Sequence, residues 1–190
     1  MIMKQRLIIF VLLLASAMSA VARLQYEDDE ETVQRRAREK RIEAIRDSMR
    51  AVEAFNALQR YDFVIEADRL SFKYGETAYV TSSTNFISLK GDRAVIQIAP
   101  FHGGGPNGIG GITLEGRATN VKFKIDKKGN STLTMNVSGA VISATVSITL
   151  PKNGYMATAI VNSNFRSNRI TLYGTLLPTS KSDIFKGRSF

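Results

Sequence analysis

The chain has 190 residues, with 26 lysines and arginines against 17 acidic residues, one histidine, and neither cysteine nor tryptophan. An apolar content of 44% and a mean hydropathy of −0.08 describe one globular domain with a core, neither a disordered chain nor a polytopic membrane protein. The missing cysteines exclude disulfides, thiolate catalysis, thiolate zinc sites and a lipid-modified cysteine, and the single histidine excludes HExxH and multi-histidine metal centres.

Residues 1–22 read as a secretory signal peptide. Lys4 and Arg6 supply the positive start, Leu7 to Leu14 is an unbroken apolar run, and Ala20-Val21-Ala22 offers small residues for cleavage, with Ala15-Ser16-Ala17 as an earlier alternative. The apolar stretch from Leu7 to Ala20 is about 14 residues, short of the roughly 20 that cross a bilayer. The mature protein is therefore expected to be periplasmic or secreted and not membrane-spanning. Removing Lys4 and Arg6 leaves 24 basic and 17 acidic residues, a charge of +7. Up to Arg60 the mature chain is neutral, so the excess lies after Tyr61. Anionic lipid or polysaccharide fits that charge, as does an ordinary solvated surface. Nucleic acid is not an expected partner, since no basic-aromatic motif supports one.

Residues 23–60 form a charged segment whose part from 27 to 59 is predicted as helix. Glu27 to Glu31 places negative charge at the helix N-terminus, and Arg35 to Arg41 follows. Ile42, Ile45, Met49 and Val52 fall at i, i+3, i+7 and i+10, with Phe55 and Leu58 continuing the stripe. The spacing predicts an amphipathic lid whose stripe packs on a sheet. The alternative is an interaction face, Ile42, Ile45, Met49 and Val52, kept for a partner.

From Asp62 the period switches to two, and residues 61–190 read as a β domain. Predicted strands are Phe63 to Arg69, Thr77 to Thr81, Phe86 to Leu89, Arg93 to Ala99, Ile112 to Gly116, Val121 to Ile125, Leu133 to Val137, Ile142 to Leu150, Tyr155 to Val161 and Ile170 to Leu177. Lys90-Gly91-Asp92, Asp126 to Asn130 and Pro151 to Gly154 are hairpin turns. About ten short strands with no helix between them argue an antiparallel meander closed as a barrel, with a sandwich as second choice. Tyr155 to Val161 is apolar on both faces, so the helix is expected to cover part of the outside there.

The segment Phe101 to Gly111 holds six glycines. Gly103, Gly105 and Gly108 match G-x-G-x-x-G by letter, but strands on both sides exclude a dinucleotide-binding βαβ unit, and a P-loop would need Gly-Lys-Ser/Thr. A wide structural turn is the first reading. A ligand-contacting loop, formed by Phe101, His102, Gly103, Gly104, Gly105 and Asn107, is the second, because free amides at glycines can form an anion nest. His102 lacks a nucleophile or acid partner recognisable in the sequence, so no catalytic residue is assigned and the protein is not expected to be an enzyme. Glu66 and Asp68 lie on one predicted strand face, read as solvated and not as an acid pair or metal site. No metal or cofactor is expected. The tail Asp183 to Phe190 is basic, ends in Phe, and is expected to dock on the fold.

The segments Asp68-Arg69-Leu70, Ser83 to Phe86, Gly105 to Gly111, Asp126 to Asn130, Asn164 to Thr171 and Phe185 to Arg188 resemble a family of exported bacterial proteins, common in gut-dwelling anaerobes, that carries a domain of unknown function. The resemblance covers residues 35–190. It implies an architecture similar to lipocalin-like barrels and carries no activity. A barrel of about eight strands can enclose one small molecule, so the leading expectation is non-enzymatic binding of a small apolar or amphipathic ligand. The alternative is a structural or interaction module whose helix face or basic sheet surface engages an envelope protein or glycan.

Overall fold

The computed structural model describes residues 2–100, 106–164 and 169–189, with side chains from residue 31 onward. Among these residues there are one long helix, α1 (Ile2–Gln59), and nine strands. These are β1 (Asp62–Phe72), β2 (Thr77–Tyr79), β3 (Phe86–Lys90), β4 (Arg93–Ile98), β5 (Ile112–Ile125), β6 (Ser131–Ser138), β7 (Ser143–Leu150), β8 (Met156–Ser163) and β9 (Arg169–Pro178). By its internal contacts the chain divides after Arg46 into a first, helical unit and a second unit, Asp47–Phe190, which holds the last turns of α1 and every strand. Among the described residues no helix is long and apolar enough to cross a membrane.

The helix starts far earlier than residue 27. The Leu-, Ala- and Met-rich run before it consists of strong helix formers, and nothing there interrupts the backbone ladder. It stops where Tyr61 takes a φ of 57°, with the Tyr61 N–H donating to the Leu58 carbonyl.

From β3 to β9 each strand pairs antiparallel with the next. The first strand closes the circle. One edge of β1 pairs with β9 from Phe63 to Phe72, while the other edge is shared between β3, through Asp62–Glu66, and β2, through Arg69–Ser71. Strands β1 and β3 to β9 thus form a closed eight-stranded antiparallel barrel, not a sandwich, and β2 is a short side strand on β1. Two of the predicted strands merge: Ile112 to Gly116 and Val121 to Ile125 are parts of β5, joined through a bulge between Thr119 and Lys122 where Asn120 has a φ of 52°.

Closure requires a second bulge, at Asp68 of β1, between the Ala67–Gly174 and Arg69–Tyr173 pairs. Two backbones approach so closely there that a Cβ on Gly174 would lie 2.0 Å from the Glu66 carbonyl oxygen and 2.6 Å from Ala67 Cα. Only glycine fits that seam. The bulge also flips the alternation, so that Phe63, Ile65 and Ala67 point inward before it and Leu70 after it.

Along β6 and β7 the alternation runs as the sequence predicts, with Leu133, Met135 and Val137 and then Ala144, Val146, Ile148 and Leu150 inside. Phe63, Ile65, Leu89, Leu133, Val146, Ile148 and Leu172 have no accessible surface at all. A water-sized void beside any of them would expose part of its lining. Among the described residues, the middle of the barrel around these side chains is packed at that scale.

The last turns of the helix join this core through the C-terminal part of the predicted stripe and the alanines beside it. Ala54, Ala57 and Leu58 belong to the same cluster as the inward strand residues, with Ala51 also buried and Phe55 meeting Phe123 edge-on at 6.2 Å between ring centroids. Residues Ser48, Ala51, Val52 and Phe55 border a groove with Gly129 and the 151–154 turn, so these last turns sit at the hairpin end of the barrel. Of the predicted stripe, Leu58 is buried and Phe55 packs against the core, whereas Met49 and Val52 are exposed by 61 and 58%; in the first unit Ile42 and Ile45 are exposed by 48 and 54%. Alanines allow the closer helix approach, which is why the small-residue side is the buried one. Nor does the helix cover all of β8 from outside: Arg50 lies over the Tyr155 ring, but Met156 remains exposed.

Truncating Leu133 to Ala should therefore cost about 2–5 kcal/mol in urea unfolding, as for a filled core. Gly174→Val should be at least as damaging, whereas Val52→Ala should stay within about 0.5 kcal/mol of the parent.

Candidate functional site

The most elaborated polar structure lies on the outer surface of β3, β4 and β5. Gln97 and Thr113 are register partners, one position away from the inward-facing pair Ile96–Leu114, so their side chains point out of the barrel. Both are nevertheless fully buried, as is Phe86, the register partner of Gln97 on β3. What covers Gln97 is the C-terminal tail. The Gln97 amide donates to the Phe185 carbonyl at 2.7 Å and to the Thr84 carbonyl at 3.0 Å, and its oxygen accepts from Gly187 N–H at 2.8 Å and the Thr113 hydroxyl at 2.9 Å.

Asn107 continues the network. Its amide donates to the Thr113 hydroxyl at 3.3 Å, and its side-chain oxygen accepts from the Ile109 and Gly111 N–H groups at 3.1 and 2.9 Å. That arrangement lets one short side chain stand in for backbone partners of a tight loop, as asparagine does in Asx turns. Gly108 and Gly110 supply positive φ values of 79° and 99° within it. Asn85 does similar work near the loop's start, accepting from Ala99 N–H at 2.7 Å and donating to the Ala99 carbonyl at 3.2 Å. Among the described residues no buried side-chain polar atom lacks a partner.

The ligand-loop reading meets the structure only at Asn107, which is 2% exposed and engaged with its own loop. Phe101, His102, Gly103, Gly104 and Gly105 lie outside the described residues. Glu66 and Asp68 lie on either side of Ala67 with the bulge at Asp68, which is exposed, and Glu66 accepts from the Ser182 hydroxyl at 2.6 Å. Among the described residues no group of three His, Asp or Glu side chains is placed to hold a metal ion. The interaction-face residues are split by the division of the chain, Ile42 and Ile45 in the first unit and Met49 and Val52 in the second.

A family model described as "Domain of unknown function (DUF4251)" matches residues 46–176, from the last turns of α1 into β9. The chain belongs to the DUF4251 family. A crystal structure of a DUF4251 family protein from Bacteroides eggerthii DSM 20697 is similar over 77% of this chain and 99% of that one, with 41% sequence identity and a TM-score of 0.65. No curated protein matches. The DUF4251 match contains Gln97, Asn107 and Thr113 but ends before the tail that covers them.

Sequence reasoning expected a docked tail in this DUF4251 member and missed what docks it. Gln97 sits in a strand that otherwise alternates normally, and a single glutamine in an outward position carries no signal of burial. The tail's charge does carry one. Lys186 Nζ lies 2.8 Å from Glu115, and that hydrogen bond is the main reason the Glu115 carboxyl titrates below its ordinary 4.5. Partial burial opposes the shift, and the Ser189 hydroxyl and the charges of Lys186 and Arg93 add to it. A lowered carboxylate pKa stabilises the docked form at all pH values above the ordinary 4.5 and loses that contribution as pH falls through the lowered value. The protection factors of the Gly187 and Arg188 amides, with the intrinsic pH dependence of exchange divided out, should therefore be flat from neutrality to about pH 5 and fall below the normal carboxylate range. Glu115→Gln should remove that acid-side loss of protection.

Proposed function

We propose that the protein is an exported, non-enzymatic interaction module of the cell envelope that engages a protein partner through apolar side chains which α1 leaves in water. The observation that carries this reading is the filled barrel. A carrier of a small apolar or amphipathic ligand, working as lipocalins do, needs an enclosed space of roughly 300 Å³ or more. The inward residues Phe63, Ile65, Leu133, Val146, Ile148 and Leu172 leave no accessible surface for one. Ligand binding inside the barrel is thereby disfavoured against binding at the surface.

The exposed aliphatics add support. Ile42, Ile45, Met49 and Val52 recur at helical spacing on α1 and are each about half exposed or more, in contrast to Ala51, Ala54 and Leu58. Aliphatic groups gain by burial against another apolar surface, which favours a protein partner over a glycan or the basic sheet surface as the contact. Export and a periplasmic site rest on Lys4, Arg6, the Leu7 to Leu14 run and the small residues before Arg23.

Native mass spectrometry on residues 23–190, purified gently from the periplasm, tests this reading. The bare mass is expected. A discrete small-molecule adduct, lost on denaturation, would restore the carrier. In parallel, Met49→Asp should leave the melting temperature unchanged and release the protein from envelope fractions, and retention of the variant there would count against the α1 surface.

A further inference from the structure

The chain's last segment is read by the barrel as a peptide ligand would be. On either side of Lys186 its main chain is gripped by one buried side chain, since Gln97 donates to the Phe185 carbonyl and accepts from Gly187 N–H. Phe185 N–H donates to the Ser83 carbonyl at 2.8 Å, and Arg188 N–H donates to the Asn107 carbonyl at 3.1 Å. These four bonds recognise an extended backbone of any sequence, the currency of strand-addition recognition. Two further contacts recognise side chains. Glu115 takes the Lys186 ammonium at 2.8 Å, and the position after it must be glycine, because a Cβ on Gly187 would lie 2.8 Å from the Asn107 carbonyl oxygen and 3.1 Å from Ile109 Cδ1.

The receptor side is also held by partners other than the tail. Gln97 is also fixed by the Thr84 carbonyl and the Thr113 hydroxyl, and Asn107 by its own loop. Such a groove is preorganised, so a segment can leave and re-enter without refolding the sheet.

We infer that this groove, formed by Ser83, Gln97, Asn107 and Glu115, is a peptide-binding site for an extended Lys-Gly-Arg segment, occupied in cis by the chain's own tail and in trans by the tail of a second copy. A second copy is the occupant the chemistry selects, because residues 185–188 make these four main-chain bonds, pair Lys186 with Glu115 and put glycine where a Cβ would clash, and each copy carries the same segment. In cis the tail competes at an effective concentration in the millimolar range, which keeps the dilute wild-type chain monomeric. The inference does not depend on the α1 surface.

A charge exchange tests it with full-length chains. Lys186→Glu and Glu115→Lys each set like charges against one another, both in cis and between identical copies, at positions exposed enough to spare the core. Mixed together, each variant offers the tail that suits the other's groove. Sedimentation velocity should show monomers for each alone and a heterodimer for the mixture. A peptide of residues 182–189 should also bind the Lys186→Glu chain roughly tenfold more tightly than the wild type, whose groove is filled. The same peptide carrying Gly187→Val should bind neither. Peptide binding without a heterodimer would keep the groove and overturn the second copy as its occupant. Folded variants that neither pair nor bind the peptide would overturn the site itself.

Discussion

The structure depends on the seam where the last strand meets the first. Eight antiparallel strands leave no free barrel edge only if β1 and β9 pair along their length, and that pairing tolerates no side chain at Gly174. Closure then decides what the interior can be. Inward side chains from the eight barrel strands converge, and Leu58 with Ala54 and Ala57 joins them from the helix. Among the described residues the middle of the barrel is filled by the protein's own core.

Among the described residues, two outer surfaces depart from an ordinary solvated sheet. One is the last turns of α1, apolar on opposite sides: Ala54, Ala57 and Leu58 lie in the core, and Met49 and Val52 lie in water. The other is the patch around Gln97 and Thr113, where burial of outward polar groups is offset by a complete set of hydrogen bonds to the tail and to the 106–111 turn. An uncovered Gln97 would trade two short protein hydrogen bonds for water, whereas a covered one ties together Thr84, Thr113 and both sides of Lys186. The tail is thus positioned by a side chain that belongs to the sheet.

Much of the fold was legible in the sequence because sheets speak through strict alternation. Leu133, Met135 and Val137 or Val146 and Ile148 admit one orientation, and turns such as Pro151 to Gly154 fix where each strand ends. The two bulges were not legible. Asp68 and Asn120 look like ordinary strand or turn residues, and what makes them bulges is the register imposed by the neighbouring strands. The helix was legible in part: Phe55 and Leu58 of the predicted stripe pack on the core, but Met49 and Val52 do not, because those turns meet the core through Ala51 and Ala54, which permit the closer approach. Asn107 was legible as part of a loop but not as the residue that holds it, since its role lies in three hydrogen bonds made only once the turn is formed. Family membership follows from the match over residues 46–176, yet the tail contacts lie beyond it and had to be read from the geometry.

The central claim is that the barrel has no room inside, and diffraction from crystals under xenon pressure tests it most directly. Xenon enters dry apolar cavities and leaves packed cores empty. The account predicts no xenon density among Leu133, Met135, Val146, Ile148 and Leu172, with any bound atoms confined to outer grooves. An ordered xenon site bounded by those side chains would contradict it and return the interior to the list of binding sites.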